Sequence, residues 1–140
     1  MKAAEYTKAR SYISGDLNDD GTEDLAVQYT LEGIGGGGNN YSFFLAVFLK
    51  TDNGIQIASD SLIGGKFSRS LEFESVQQGV IAFSTLFYTI KPNGKWDASC
   101  CPSGIGKAYY ALVEDTLVEL NTVGAVPIDF GRLMKRRREE

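Results

Sequence analysis

Residues 16–24, Asp-Leu-Asn-Asp-Asp-Gly-Thr-Glu-Asp, constrain the fold of this chain more than any other stretch. They set five acidic residues around a single glycine. They run without a break into Leu25-Ala26-Val27-Gln28-Tyr29-Thr30-Leu31, where apolar residues alternate with small or polar ones. That alternation has the period of a strand, not of a helix. Upstream, Ser11-Tyr12-Ile13-Ser14 reads as a short strand feeding the loop. The segment is therefore expected to be a tight acidic turn between two strands. Leu25, Val27, Tyr29 and Leu31 are expected on the buried face of the second strand.

The spacing in the loop suits calcium. Calcium takes six to eight oxygens, and a short loop supplies them best from alternate residues. With Asp16 as position 1, Asn18 is position 3, Asp20 position 5 and Asp24 position 9. Gly21 falls at position 6, where the chain turns sharply and a Cβ is unwelcome. Thr22, at position 7, offers its backbone carbonyl. This is the D-x-N-x-D-G start of a calcium loop. It is not an EF-hand, because position 12 is Val27 and a strand follows in place of a helix. Asp24 then takes the part that a bidentate Glu plays elsewhere. The expected ligands are Asp16, Asn18, Asp20, Thr22 and Asp24, with calcium as the cofactor. The competing reading is an acidic turn, since Asp, Asn and Gly are ordinary turn residues. A spacing match over six positions favours the metal.

The rest of the chain reads as hairpins. Residues 2–12 carry a mixed pattern compatible with a short helix. Residues 33–38 formally contain G-x-G-x-x-G, but an aromatic, β-branched strand (41–49) follows where a dinucleotide site needs a helix. A hairpin loop is the favoured reading. Asn53-Gly54 marks a turn, 55–58 a return strand, and 62–66 a loop. Leu71-Glu72-Phe73-Glu74 alternates, so one face meets water. Residues 80–90 form a long apolar strand, and 107–113 pairs with 116–120 around Glu114-Asp115. A terminal helix is expected at roughly 129–138. The fold class is thus mainly β, a single domain over 1–140 of antiparallel strands and hairpins. Its core is 12–120, and 121–140 is a partly helical extension.

Several functions are disfavoured by composition. The chain has no His, which removes Ser-His and Cys-His nucleophilic pairs and His-based zinc sites. Its net charge is −4; the tail from Lys135 to Glu140 supplies four positive and two negative charges, leaving −6 on the remainder. An acidic body argues against general nucleic-acid binding. The run Lys135-Arg136-Arg137-Arg138 reads as a solvated helix end before it reads as a contact for acidic lipid. No apolar run approaches the length of a membrane span. Residues 1–5 show no apolar signal core, so the protein is either cytoplasmic or an exported chain without its signal.

Cys100 and Cys101 are the only cysteines. Neighbouring cysteines can bridge only through a strained eight-membered ring, and strained bridges are more easily reduced. A structural pair, reduced or as a vicinal disulfide, is favoured over a soft-metal or thiol-redox site and over an intermolecular bridge.

Gly15-Asp16-Leu17-Asn18-Asp19-Asp20-Gly21, with Asp24-Leu25-Ala26-Val27 after it, resembles the calcium loop of FG-GAP/VCBS-type sequences, G-D-L-N-G-D-G-x-x-D. Asp19 stands where those sequences usually carry Gly. They occur in several copies that close a propeller, and this chain has one. A closer resemblance is to small single-copy bacterial exported or lipoprotein-like domains. They share, in order, the acidic loop, a Gly-rich hairpin with an aromatic strand, a G-V-I strand (Gly79-Val80-Ile81) and a C-C-P segment (Cys100-Cys101-Pro102). The resemblance spans roughly residues 12–120. It implies the calcium site above and an extracytoplasmic location, and it implies no catalytic residues.

The functional expectation is a calcium-stabilised, non-enzymatic extracytoplasmic domain with a binding or envelope-support role. Its partner would be a protein or cell-envelope ligand, and the chain a monomer or weak dimer. The alternatives are an acidic inhibitor of a basic, lysozyme-like hydrolase and, behind it, a thiol or soft-metal protein using Cys100 and Cys101. An enzyme drawing a carboxylate pair from Glu72, Glu74 or Asp97 ranks last, because Glu72 and Glu74 alternate out of an apolar strand face.

Overall fold

A computed structural model describes residues 4–33, 41–66 and 68–121. Nine strands follow in chain order: β1 (Ala4–Glu5), β2 (Ser11–Gly15), β3 (Asp24–Glu32), β4 (Tyr41–Thr51), β5 (Gly54–Gly65), β6 (Arg69–Gln77), β7 (Val80–Phe87), β8 (Gly104–Val113) and β9 (Thr116–Asn121). They form two antiparallel sheets. The first has the order β1-β3-β4-β5, with β2 also paired to β3, and the second the order β6-β7-β8-β9. Two-residue turns set three of these pairings, β4–β5, β6–β7 and β8–β9. At the β8–β9 turn both Glu114 (φ 52°) and Asp115 (φ 62°) are left-handed, the geometry that matches the twist of the flanking strands.

The sheets enclose one core. Leu45, Val47, Ala26, Phe83 and Ala108 are fully buried, and Ile63, Leu71, Ile81, Tyr110 and Leu117 pack around them. Phe83 stacks on Phe73 at 4.8 Å between ring centres and meets Tyr110 edge-on at 5.9 Å. Each large side chain buried in this way stabilises the fold by about 1.5–3 kcal/mol. Leu17, the apolar residue of the acidic loop, also lies in the core and anchors the loop to it. At the loop's entry the sheets touch closely: a Cβ on Gly15 would sit 2.6 Å from Val76 Cγ1.

An ionic cluster is among the polar contacts that join the sheets. Arg69, on β6, donates from Nε to the Ile63 carbonyl of β5 at 2.9 Å. Its other nitrogens pair with Glu119 on β9 and donate to the Tyr110 hydroxyl at 2.8 Å. Tyr110 in turn donates to Glu119 at 2.5 Å. Burial pushes the Tyr110 phenol up, and Glu119 adds to the shift.

The structure corrects four expectations. Leu25, Val27, Tyr29 and Leu31 do share a face, but it is the outer one; the buried residues of β3 are Asp24, Ala26, Gln28 and Thr30. Alternation shows which residues share a face. The covered face is chosen by the second sheet, more than 40 residues away in the chain, and Gln28 Nε2 reaches across to the Leu71 carbonyl at 3.1 Å. Residues 62–66 are not a loop, because β5 continues through Gly65. The apolar run 80–90 ends as a strand at Phe87, and Ile90 instead bridges Trp96. The N-terminal helix is not formed: Thr7–Ala9 is a single 3₁₀ turn between β1 and β2. The terminal helix expected at 129–138 lies outside the described residues, as does most of the glycine loop at 33–38. Its ends are paired as expected, Glu32 opposite Tyr41. No helix among the described residues is long and apolar enough to cross a membrane.

Candidate metal centre

The acidic loop joins β2 to β3, and the two strands pair up to its mouth, Gly15 opposite Asp24. This pairing brings positions 1 and 9 of the loop side by side. Gly21 supports the turn with φ +81°, and no other atom lies near where its Cβ would be. Backbone conformation, not crowding, is what calls for glycine here. Asp19 is also left-handed, with φ 62°. Asp is among the residues that tolerate this conformation.

Asp16, Asp20 and Asp24 each bring a carboxylate oxygen within 4.8 Å of the others. Asp24 is the buried member, 4% exposed. Its Oδ2 accepts from the Leu17 N–H and its Oδ1 from the Lys50 N–H, both at 2.9 Å. It thereby ties the loop to β4 as well as to β3. Asp16 accepts from the N–H groups of Gly21 at 2.8 Å and Asp20 at 3.2 Å. Asp20 accepts from the Thr22 N–H at 2.9 Å. Desolvation pushes the Asp16 carboxyl up, but the N–H groups of Gly21, Asp20, Asn18 and Asp19 more than offset it and hold it below the ordinary Asp value.

Asn18 sits at the centre of this set. One terminal atom of its carboxamide lies 3.0 and 3.2 Å from the Asp20 oxygens, 3.2 Å from Asp16 Oδ1 and 3.3 Å from Asp24 Oδ2. The two amide orientations are isosteric. With nitrogen inward, Asn18 donates to the carboxylates. With oxygen inward, an amide oxygen and four carboxylate oxygens converge, and a cation is what reconciles them. In that second orientation the donor set is all oxygen, which fits a hard cation. The structure therefore brings together Asp16, Asn18, Asp20 and Asp24. Thr22 lies in the same turn, and its carbonyl remains a sequence expectation.

The second unusual stretch is the 16-residue connection from β7 to β8. Its organising residue is Asp97, 8% exposed. Asp97 Oδ2 accepts from the N–H groups of Thr89 (2.9 Å) and Ser103 (2.8 Å), and both hydroxyls lie within 3.2 Å of it. Those N–H groups hold the carboxyl down to about 2. Composition alone made Asp97 a candidate acid; its partners lie eight residues before and six after, with no local pattern to reveal them. Glu72 is exposed and Glu74 pairs with Lys107. Cys100 and Cys101, in the same connection, are joined by a disulfide.

The outer face of the first sheet is a shallow apolar groove of about 480 Å³. Leu25, Val27, Ala46 and Phe48 form its floor, Tyr29 stacks on Phe44, and Ile55 and Ile57 stand 69% and 59% exposed at its edge. Tyr29 donates to Asp60 at 2.5 Å, and Arg10 pairs with Glu5. Comparison of the chain with family models, with curated proteins and with solved structures finds no match.

Proposed function

We propose that this protein is a calcium-stabilised, non-enzymatic binding or support domain of the bacterial cell envelope, acting outside the cytoplasm. The observation that carries the reading is the convergence of the Asp16, Asn18, Asp20 and Asp24 side chains on one point. Bound calcium offsets the mutual repulsion of three carboxylates and ties β2, β3 and the end of β4 together through Asp24. Its contribution is to stability: an ion that binds only the folded chain stabilises it by mass action. The binding role rests on the outer face of the first sheet, where contiguous apolar side chains remain in contact with solvent. The extracytoplasmic location rests on the resemblance of the acidic loop and the Cys-Cys-Pro segment to exported domains.

The test is thermal unfolding of chelator-treated protein with and without millimolar calcium, with magnesium as the control. A rise of several degrees with calcium alone supports the reading. Equal melting temperatures would sink it and leave an acidic turn.

A further inference from the structure

Cys100 and Cys101 are bonded to each other, with Cα atoms 3.7 Å apart. Both are exposed. What the bond does for the fold follows from what it encloses. A disulfide stabilises chiefly by restricting the unfolded chain, and the gain grows with the length of the loop it closes. A link between neighbours closes the shortest loop possible, so it stands at the bottom of that scale.

The surrounding connection has other supports. Asp97 draws Thr89 and Ser103 together from opposite ends of the segment. Tyr88 donates to the Ser99 carbonyl at 2.7 Å. The Cys101 N–H bonds the Ala98 carbonyl at 2.9 Å, and the Lys91 N–H bonds the Lys95 carbonyl at 2.7 Å. None of these bonds uses a sulfur atom. The disulfide is thus open to a reagent while the path of the chain around it is held by other means.

We propose that Cys100–Cys101 is a reversible thiol–disulfide exchange site whose substrate is a dithiol reductant. A thiolate of the reductant attacks one cysteine sulfur; the bond between Cys100 and Cys101 breaks, and the other cysteine leaves as a thiolate and takes up a proton. The second thiol of the reductant then attacks the mixed disulfide, closes its own disulfide and releases the first cysteine, which is protonated in turn. In total two electrons and two protons pass to the protein, one S–S bond is exchanged for another, and two S–H groups form. The sandwich stays folded in both states, and the change is confined to residues 98–102. Trp96 is the only tryptophan of the chain, 64% exposed and four residues from Cys100, so its fluorescence reports the exchange.

The experiment treats the native full chain with dithiothreitol and then with iodoacetamide, and reads intact mass, Trp96 emission and thermal unfolding. The expected result is no alkyl group before reduction and two after it, on protein that remains folded. Trp96 emission should change on reduction and return on reoxidation. The melting temperature should fall by less than about 5 °C. Alkylation only after unfolding overturns the proposal, as does a larger fall in melting temperature. Two free thiols in protein never exposed to reductant overturn it too. The double variant Cys100→Ser, Cys101→Ser should fold with a melting temperature inside the same margin. Failure of that variant to fold would show the bond to be a structural staple.

Discussion

Two loops of this molecule are organised by aspartate, and they meet opposite electrostatic conditions. In the β7–β8 connection one carboxylate, Asp97, gathers two N–H groups and two hydroxyls on a single oxygen. In the β2–β3 loop three carboxylates gather on one another. The first arrangement supplies enough donors to hold its charge without help. The second supplies one N–H to Asp20, two to Asp24 and four to Asp16, and still leaves three carboxylates within 4.8 Å of one another. A charge that the chain itself satisfies builds structure. A charge that it leaves over is what the proposed calcium ion would offset.

Four experiments test that contrast. The largest effect is expected for Asp24→Ala, which strips partners from the Leu17 and Lys50 N–H groups and removes a ligand together. Leaving two such donors without partners costs about 2–5 kcal/mol. Denaturant unfolding should show this loss together with loss of the calcium response; a variant that still responds to calcium would refute the ligand assignment. Next comes calcium itself. At 100 times its dissociation constant it should add about 2.7 kcal/mol, roughly 5–10 °C in melting temperature, and Asp20→Ala should abolish that rise while changing the calcium-free protein little. Asp97→Ala, by contrast, should leave the calcium response intact and act locally. Amide exchange should quicken at Thr89 and Ser103 and stay unchanged in β3. The smallest effect is expected for Asp19→Gly. It relieves a left-handed residue and one negative charge, and should stabilise the calcium-free protein by about 0.5 kcal/mol.

Acid should act on both loops. Asp16 and Asp97 are held below the ordinary Asp value. Groups of that kind contribute stability that is complete above the unfolded value near 4 and is lost as pH falls through the folded value. For Asp97 the loss should run from about pH 4 to about pH 2. A pH titration of unfolding that is flat across this window would contradict the Asp97 hydrogen bonds. Calcium affinity should fall over the same range, because ligand carboxylates must be ionised to bind.

The β2–β3 loop was legible from the sequence because its determinants are local. Asp16, Asn18, Asp20 and Asp24 are brought together by the turn they themselves build, so their spacing carries the geometry. Most strands were legible for the same reason: Leu71-Glu72-Phe73-Glu74 puts its acids in water as its alternation predicts. What could not be read was decided by distant partners. The alternation of β3 is the same whichever face is covered, and the second sheet settled the matter in favour of Ala26, Gln28 and Thr30. Asp97 was equally opaque, since Thr89 and Ser103 carry no pattern until the connection closes on them. The helix expected at 2–12 does not form because β1 and β2 pair along β3, which leaves room between them for only a single 3₁₀ turn at Thr7–Ala9.

The Arg69 contact gives the sandwich a direction of strength. Sliding one sheet over the other would have to pull its guanidinium away from the Ile63 carbonyl or from Glu119 and Tyr110. Prising the sheets apart from the edge where Gly15 meets Val76 would part apolar surface first and then break the hydrogen bond from Gln28 to the Leu71 carbonyl. The molecule is therefore built to resist shear at the β5–β6 corner and to yield to peeling at the edge beside the acidic loop. Beside that edge the proposed calcium ion would stiffen the first sheet, since its ligands all lie on the β2–β3 loop and the start of β3.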